Sequence, residues 1–504
     1  MNIESDKPKE ECGIFGISSR EIDVGKQIYF GLFALQHRGQ ESAGIAVSGQ
    51  TGIACYKDVG LVNQVFVSEA QLSHLKGNIG IGHVRYSTTG SSKSNNAQPF
   101  VACKYKGEQL EMDYSETAKS PYYNPTAVLA LAHNGNLVNA VELRDKLIAR
   151  GYKFQSSTDS EVIVHLIAEH MRHLKKGDKK GAAIEKAILA CMDEMKGAYA
   201  LVIMTPNKLI GVRDPYGIRP LSLGKIDGGY VLASETCALD IVGAEFIRDI
   251  KPGECCVIQP SHEPVSFEKK TEACPALCIF ELIYFARPDS ELGGLLVDEV
   301  REQMGRELAK EHPLDVDIVI PVPDSGIPAA MGYATELGVK YSRGLIKNRY
   351  VLRTFILPDQ HLREVGIRLK LNPQRRRLEG KRVAIVDDSI VRGTTSSKIV
   401  KMLKDAGAKE VHVLVCCPPI RYPCYYGIDT TGRGDLIAAN KDEAEICRYI
   451  GADSLHFLSL EGLLRASRSN DLQGYCTACF DGNYPVPLSE GLKVGKLDLE
   501  EVLK

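Results

Sequence analysis

The sequence has no long uninterrupted hydrophobic run, although hydrophobic residues make up 44% of its 504 residues. A membrane span needs about 18 consecutive apolar residues, and none of the apolar stretches reaches that length. The polar start of the sequence also lacks the apolar core of a secretory signal peptide. These absences predict a cytoplasmic protein that is not bound to a membrane.

The sequence also has no strong excess of charge of either sign, since 62 Lys and Arg residues stand against 64 Asp and Glu residues. The formal net charge of -2 gives the whole protein no attraction to nucleic acid or to an anionic membrane, so we predict neither as a partner. Without an export signal, the 15 cysteines indicate reduced thiols for catalysis or metal binding rather than disulfides.

The chain is too long for one core of ordinary size, which predicts two large domains. A polar stretch at 261–273 is the predicted linker between them. We predict four segments: a leader at 1–11, a first domain at 12–260, a second domain at 274–470 and a C-terminal tail at 471–504.

Cys12 lies at the edge between the charged leader and the first apolar, glycine-containing segment. Such a cysteine is usually a small apolar strand residue. The alternative is that the leader is a propeptide, and that its removal makes Cys12 the N-terminal residue. A free α-amine has a pKa near 7.7 to 8.0, against ~10.4 for lysine, so it is a workable base for the thiol. The amide nitrogen that joins Glu11 to Cys12 is not basic, so the uncleaved chain is expected to be inactive.

Four polar motifs follow Cys12. They are Gln36-His37-Arg38-Gly39, His83-Val84-Arg85-Tyr86-Ser87-Thr88, His133-Asn134-Gly135 and Ser157-Thr158-Asp159-Ser160. Taken singly, such motifs are most often turns or helix caps. Together and in this order they resemble the N-terminal-nucleophile glutamine amidotransferases, in which an N-terminal cysteine hydrolyses glutamine to glutamate and ammonia. The resemblance implies an αββα sandwich for the first domain.

The resemblance also implies roles for individual residues. Cys12 is the implied nucleophile, and Asn134 and the backbone N–H of Gly135 form the implied oxyanion hole. The implied glutamine contacts are Arg85 for the carboxylate and Asp159 for the ammonium group, with Arg38 and Thr88 lining the same pocket. The alternative mechanism is a papain-like Cys/His pair with His37 or His83 as the base. The segment Cys103–Pro125 is longer and more polar than the family pattern, and we predict a surface loop there.

The second half alternates apolar strands with amphipathic helices, which predicts a mostly parallel sheet with helices on both faces. One predicted strand, 381–386, leads into Asp387 and Asp388 and then into a glycine-hydroxyl loop at the start of a helix. Ligands of open α/β sheets bind at this edge. Free N–H groups at a helix start suit phosphate, and paired acids suit ribose hydroxyls or Mg²⁺.

The run 386–395 resembles the phosphoribosylpyrophosphate site of the type I phosphoribosyltransferases. The resemblance places the pyrophosphate loop at Asp324-Ser325-Gly326 and a basic flap, starting near Lys347, over the phosphates. Leu352 replaces a glycine that the family carries in this flap. The residues implied to bind phosphoribosylpyrophosphate are Lys347, Arg349, Asp387, Asp388, Ser389, Arg392, Gly393, Thr394 and Thr395. Those implied to hold Mg²⁺ are Ser325, Asp387 and Asp388.

Cys476 and Cys479 form a CxxC motif, for which zinc is the default prediction when the motif stands alone. Two more cysteines, Cys278 and Cys424, lie where iron-sulfur members of the resembled family carry cluster ligands. The resemblance therefore implies a 4Fe-4S cluster with a structural role, held by these four cysteines.

Both halves, in this order, resemble the glutamine amidotransferases that act on phosphoribosylpyrophosphate. The resemblance implies that glutamine is hydrolysed at Cys12 and that ammonia passes inside the protein to phosphoribosylpyrophosphate. The products would be 5-phosphoribosylamine, pyrophosphate and glutamate, in the first step of purine biosynthesis. It also implies a homotetramer inhibited by purine nucleotides. Two alternatives stay open: a non-catalytic phosphoribosylpyrophosphate-binding regulatory protein, and the same glutaminase coupled to a different acceptor.

Overall fold

The structure is a computed structural model, and it describes residues 12–50, 52–86, 94–106, 109–112, 122–174, 182–348, 371–430 and 432–488. Four of the sequence predictions fall outside these described residues: the leader at 1–11, Thr88, Arg349 and Leu352. All 15 cysteines lie inside them, and none forms a disulfide bond.

The first half contains two antiparallel sheets. Their strands are β1 (Gly13–Ser19), β2 (Ser42–Gly49), β3 (Gly52–Val59), β4 (Ile79–Arg85), β5 (Phe100–Lys106), β6 (Gln109–Met112), β7 (Tyr122–Asn124), β8 (Ala127–Leu137), β9 (Gly197–Thr205), β10 (Lys208–Arg213), β11 (Ser222–Ile226), β12 (Gly229–Ala233), β13 (Glu245–Asp249), β14 (Glu254–Ile258) and β15 (Val265–Glu268). One sheet has the order β13-β11-β12-β1-β4-β2-β3-β7, and the other has the order β15-β14-β10-β9-β8-β5-β6.

Helices cover the outer faces of both sheets. They are α1 (Val24–Ala34), α2 (Val62–Val65), α3 (Glu69–Ser73), α4 (Ala140–Ala149), α5 (Asp159–His173), α6 (Ala183–Glu194) and α7 (Thr236–Val242). The first two helices and α7 pack on the β1 sheet, and α4, α5 and α6 pack on the β8 sheet. These layers form the αββα sandwich that the sequence predicts.

Alternation along β1 explains how one strand serves two of these layers. Phe15 and Ile17 point toward α1, whereas Ile14 points into the core between the sheets, as the period of a strand requires. Gly16 faces the same way as Ile14, and a Cβ added there would lie 2.5 Å from Cγ1 of Val202 in the other sheet. The glycine therefore allows the two sheets to approach closely.

Two segments differ from the sequence predictions. Instead of the surface loop predicted at Cys103–Pro125, the described part of this segment holds the end of β5, together with β6 and β7, which are edge strands of the two sheets. The predicted linker at 261–273 contains β15, which pairs with β14. The first domain's sheet therefore continues past the predicted boundary at 260. Short polar edge strands carry little hydrophobic signal, because water covers one side of them.

The second half is built on a four-stranded parallel sheet of order β19-β22-β23-β24, which confirms the predicted architecture. Its strands and those around it are β16 (Leu277–Cys278), β17 (Glu291–Leu292), β18 (Leu295–Leu296), β19 (Ile318–Pro321), β20 (Leu345–Lys347), β21 (Leu371–Pro373), β22 (Arg382–Asp387), β23 (Glu410–Val415), β24 (Ser454–Phe457) and β25 (Tyr475–Cys476).

The helices of the second half are α8 (Val297–Glu311), α9 (Ile327–Leu337), α10 (Arg375–Leu378), α11 (Thr394–Asp405), α12 (Ile437–Asn440), α13 (Glu443–Ile450), α14 (Leu460–Ala466) and α15 (Ala478–Asp481), with a π-helix at Glu281–Phe285. Across the described ranges, no helix has both the length and the apolar character that a membrane span requires.

Candidate active sites

Cys12 directly precedes β1, the strand that lies between β12 and β4. Because Gly13 pairs with Val84, Cys12 reaches the end of β4, where Arg85 and Tyr86 lie. Its thiol is buried and donates a 3.4 Å hydrogen bond to the carbonyl of Tyr86. Burial raises the pKa of the thiol to about 11, although the positive charge of Arg85 and the Tyr86 hydrogen bond act against that increase. Only ~10⁻⁴ of such a thiol is ionised at pH 7, so attack by Cys12 needs a base.

A small pocket opens beside this thiol. It is lined by Cys12, Arg85, Tyr86, Gln98, His133, Gly135, Thr158, Asp159 and Ser160. The pocket thus brings together four of the residues that the sequence analysis assigns to glutamine hydrolysis. One of them is a cation and one is an anion, and this pair suits the carboxylate and ammonium groups of a free amino acid.

Asn134 and Gly135 lie on β8. Asn134 has the unused hydrogen-bonding capacity that an oxyanion hole needs, and Gly135 has a backbone conformation that favours glycine. Asn134 is 1% exposed, yet neither polar atom of its side chain has a hydrogen-bond partner among the described residues. A buried unsatisfied amide costs about 1 to 3 kcal/mol, so it suits a group reserved for a ligand. Gly135 has a φ of 141°, and an added Cβ would lie 2.0 Å from the carbonyl oxygen of Ala198. Only glycine fits there.

Asp159 is the first residue of α5 and is buried at the pocket wall. One carboxylate oxygen accepts a 2.9 Å hydrogen bond from the N–H of Leu137, and the other lies 3.6 Å from Nδ1 of His133. Burial alone would raise the pKa of this carboxyl, but His133 and the Leu137 N–H outweigh burial and lower it. Asp159 is therefore an anion at neutral pH, as an ammonium-binding group must be.

The two histidines of the papain-like alternative have other partners. Burial lowers the pKa of His83 to about 3, and its Nε2 donates to the carbonyl of His133 at 3.0 Å. A group with so low a pKa is a weak base. Nε2 of His37 lies 2.7 Å from the carboxylate of Glu235. The geometry therefore does not favour a Cys/His pair.

Arg38 has a different position from the predicted glutamine contact. Its Nε donates to the carbonyl oxygen of Cys12 at 3.1 Å, and its two terminal nitrogens bind the carboxylates of Glu235 and Glu281. It is not among the residues that line the pocket. Arg38 thus contacts the backbone of Cys12, and its role as a glutamine contact stays a prediction.

A second polar site lies at the carboxyl end of the parallel sheet. Asp387, Asp388 and Ser389 are all buried where β22 ends, and the hydroxyl of Ser389 donates to Asp388 at 2.5 Å. The loop after β19 lies beside them, since an added Cβ on Gly326 would lie 2.4 Å from the carbonyl oxygen of Val386. The predicted Mg²⁺ contact Ser325 belongs to that loop. The topology therefore brings the predicted acids and the predicted pyrophosphate loop to one edge of the sheet.

Helix α11 begins at this edge with the predicted phosphate-binding residues Thr394 and Thr395. Gly393 is its N-cap and has a φ of 76°, a left-handed conformation that favours glycine. The positive end of the helix dipole and the backbone N–H groups of its first turn therefore point to the second site. Lys347 forms a 2.9 Å ion pair with Asp324 of the neighbouring loop, and Arg392 lies 3.8 Å from Asp435.

The four cysteines of the predicted cluster converge from distant segments. Cys278 pairs in register with Cys476 where β16 meets β25, and Cys479 follows on α15. Burial raises the pKa of Cys479 well above its ordinary value, and the neighbouring Cys476, Cys278 and Cys424 raise it further. As the side chains stand, however, the described residues contain no group of three or more His, Cys, Asp or Glu that could hold a metal ion.

Comparisons with known proteins agree with the two halves of the chain. A family model described as "Glutamine amidotransferase domain" matches residues 107–240, and one described as "Phosphoribosyl transferase domain" matches 295–426. The amidophosphoribosyltransferase of Synechococcus elongatus is 50% identical over 502 residues, which cover 99% of this chain and 96% of that protein. That of Methanocaldococcus jannaschii is 50% identical over 493 residues, covering 95% and 98%.

The chain belongs to the amidophosphoribosyltransferase family. A solved structure agrees: the glutamine phosphoribosylpyrophosphate amidotransferase from B. subtilis, complexed with ADP and GMP, has a TM-score of 0.85 and 43% identity. That similarity covers 97% of this chain and all of the B. subtilis chain. Membership in the amidophosphoribosyltransferase family confirms the predicted two-domain fold and the predicted enzyme class. The cluster, the propeptide and the roles of individual residues stay predictions.

Sequence reasoning missed several residues around the sites of this amidophosphoribosyltransferase. Gln98 lines the glutaminase pocket, and its side chain binds both the N–H of His133 and the hydroxyl of Ser160. No motif marks Gln98. His133, in contrast, belongs to the His-Asn-Gly motif that the sequence analysis identifies. Glu281, which binds Arg38 from the second half of the chain, also had no local signal.

The unsatisfied side chain of Asn134 yields a prediction. Asn134→Ala should lower kcat for glutamine hydrolysis ~10²- to 10³-fold, because it removes one oxyanion-hole donor. It should leave the thermal midpoint of unfolding unchanged or raise it, since no hydrogen bond within the described residues is lost. Glutaminase kinetics and thermal melts measure both effects.

Asn139→Ala is the matched control, because the amide of Asn139 binds the carbonyl of Glu194 and the N–H of Lys196. We expect this control to lower the midpoint and to spare kcat. An Asn134→Ala variant with wild-type kcat would remove Asn134 from the oxyanion hole.

Proposed function

We infer that the chain is an amidophosphoribosyltransferase that hydrolyses glutamine at Cys12 and passes the ammonia inside the protein to phosphoribosylpyrophosphate. The products are 5-phosphoribosylamine, pyrophosphate and glutamate, in the first step of purine biosynthesis. The observation that carries this conclusion is the pairing of the two sites in one chain: a pocket with Cys12, Arg85, Gly135 and Asp159, and a parallel-sheet edge with paired acids.

In the first half-reaction, Arg85 and Asp159 hold the carboxylate and the ammonium group of glutamine. The Cys12 sulfur forms a bond to the amide carbon, and its proton passes to the α-amine that Cys12 carries once the leader is removed. Asn134 Nδ2 and the N–H of Gly135 stabilise the oxyanion. The carbon–nitrogen bond then breaks, and the amine returns the proton to the departing ammonia. Water cleaves the resulting thioester to give glutamate and restores the thiol.

In the second half-reaction, the nitrogen of ammonia forms a bond to C1 of phosphoribosylpyrophosphate as the bond from C1 to pyrophosphate breaks. The new amine then loses a proton. We propose that Asp387 and Asp388 bind the ribose hydroxyls and, with Ser325, hold Mg²⁺, which would neutralise charge on the pyrophosphate. The N–H groups at Gly393, Thr394 and Thr395 suit the 5-phosphate. Lys347 and Arg392 would add positive charge nearby.

We propose that purine nucleotides inhibit this enzyme. The B. subtilis relative is described as a complex with ADP and GMP, and a second solved structure, with a TM-score of 0.85, is described as the allosteric regulatory enzyme of purine biosynthesis. A homotetramer also stays a prediction. The non-catalytic alternative does not need the unsatisfied Asn134 or the two opposite charges, Arg85 and Asp159, that line the glutaminase pocket.

The two-site scheme is tested by supplying the enzyme with either glutamine or ammonia as the nitrogen source. Cys12→Ala should abolish glutamine-dependent synthesis of phosphoribosylamine and keep ammonia-dependent synthesis near the wild-type rate, because the second site does not use the thiol. Cys55→Ala, another buried cysteine of the first half, should keep both reactions. Equal loss of both reactions in Cys12→Ala, measured as phosphoribosylamine formed, would refute the scheme.

We also propose that Cys278, Cys424, Cys476 and Cys479 hold a 4Fe-4S cluster with a structural role. Thiolate is the ligand that such clusters take. The parallel pairing of β16 with β25 brings Cys278 beside Cys476, and both of these cysteines and Cys424 are near enough to Cys479 to raise its pKa. The cluster would attach the C-terminal tail to the start of the second domain. None of the reaction steps above involves it.

The cluster proposal predicts about four iron and four sulfide per chain, with a broad visible absorbance, in anaerobically purified protein. Cys476→Ser should lose most of the iron, and Cys274→Ser should retain it, because Cys274 is exposed and lies outside the group. One bound zinc and no iron would contradict the proposal.

A further inference from the structure

Four charged side chains form a buried cluster where the two halves of the chain meet. Arg38, Arg219, Glu235 and Glu281 are each at most 1% exposed. The cluster holds two cations and two anions, so its charges balance without solvent. Buried ions are stable only when they are paired in this way.

Arg38 is the centre of the cluster and contacts both halves. Glu281 binds it in a bidentate manner, at 2.9 Å to one terminal nitrogen and 2.7 Å to the other. This geometry fixes the plane of the guanidinium group. The remaining nitrogen, Nε, then donates to the carbonyl oxygen of Cys12 at 3.1 Å. Glu281 is therefore two contacts away from the nucleophile, although 243 residues separate it from Arg38.

Glu281 lies at the start of a short helix in the second half of the chain. It opens the π-helix Glu281–Phe285, a rare form of helix that occurs often at functional sites. Arg301 of α8 holds this helix by donating to the carbonyl oxygens of Leu282 and Ala286, at 2.9 and 2.8 Å. The carboxylate of Glu281 is thus fixed by the second half, and Arg38 transmits its position to the first.

The same boundary supports the oxyanion strand. Arg219 lies 3.7 Å from Glu281 and donates to the carbonyl of Tyr426, and Asn136 of β8 donates to the carbonyl of Tyr425 at 2.9 Å. Residues on both sides of the catalytic pocket are therefore connected to the second half of the chain.

We propose that Glu281 is a positioning residue for glutamine hydrolysis, acting through Arg38 on the backbone of Cys12. The proposal rests on the function inferred above. Loss of the carboxylate would remove the bidentate contact and leave the terminal nitrogens of Arg38 with Glu235 on one side only. The guanidinium group could then rotate and let the Cys12 carbonyl shift, and a displacement of about 1 Å can cost 10²-fold in rate. Glutamine binding would change little, because Arg85 and Asp159 are outside the cluster. The second site would keep its activity with ammonia.

Glu281→Gln tests this proposal, since it removes the charge and keeps the shape. We expect kcat for glutamine hydrolysis to fall ~10- to 100-fold, the KM for glutamine to stay near its wild-type value, and ammonia-dependent synthesis to persist. Alkylation of Cys12 by iodoacetamide should also slow. Arg38→Gln should give the same pattern, and the double variant should be no worse than either, because both changes interrupt one contact chain.

Glu307→Gln is the matched control. Glu307 is also a buried glutamate of the second half with ion pairs, to Lys310 and Arg465, and it is remote from the pocket lining. This variant should keep wild-type kinetics with both nitrogen sources. If Glu281→Gln fails to fold, the double variant Arg38→Met/Glu281→Met removes one charge of each sign, and it should show the same selective loss of kcat.

Three results would overturn the proposal: wild-type kcat in the Glu281 variants, a rise in KM alone, or an equal loss of ammonia-dependent synthesis. Failure of the proposed function would look different. In that case the wild-type enzyme would hydrolyse no glutamine, or Cys12→Ala would still hydrolyse it, whatever the Glu281 variants do.

Discussion

The structure depends on one buried contact, between the carboxylate of Glu281 and the guanidinium group of Arg38. This pair joins a π-helix of the phosphoribosyltransferase half to the residue that supports the nucleophile of the glutaminase half. Removing one partner of a buried ion pair lowers the free energy of unfolding by roughly 3 to 5 kcal/mol, because the other charge is left unpaired in the protein interior. The two halves therefore meet through an interaction that strongly resists a change in their relative position at this point.

Two groups of the glutaminase site, the Cys12 thiol and the Asn134 side chain, each need a further partner before they can act in catalysis. Burial leaves the Cys12 thiol with a pKa of about 11, and Asn134 keeps a buried amide that makes no hydrogen bond to another described residue. In the proposed mechanism, the carbonyl oxygen of glutamine becomes an oxyanion that accepts a hydrogen bond from Asn134. The thiol requires a base, and the low pKa of His83 leaves that histidine unsuited to the task. In the proposed mechanism, the base is the α-amine that Cys12 carries once the leader is removed.

The sequence allowed much of this to be predicted, and the misses have a common cause. The alternation of apolar strands and amphipathic helices predicted the parallel sheet, and the Asp387-Asp388 run predicted that paired acids lie at one edge of it, because both signals are local. Arg38 belongs to a local motif, but its partner Glu281 is distant in sequence, so the contact between them could not be predicted. The strands β6 and β7 were missed because short edge strands bury few side chains. Contacts between distant segments are decided by packing, which no single stretch of sequence reports.

We propose that Cys12 acts with its own α-amine, and removal of the leader at 1–11 is the step that creates this amine. The measurement is glutaminase activity of the purified chain with the intact mass of the active species. We expect the active chain to begin at Cys12, and its kcat/KM for glutamine to rise with pH until the α-amine, ordinarily of pKa 7.7 to 8.0, has lost its proton. A chain that retains residues 1–11 and hydrolyses glutamine at the full rate would contradict the account.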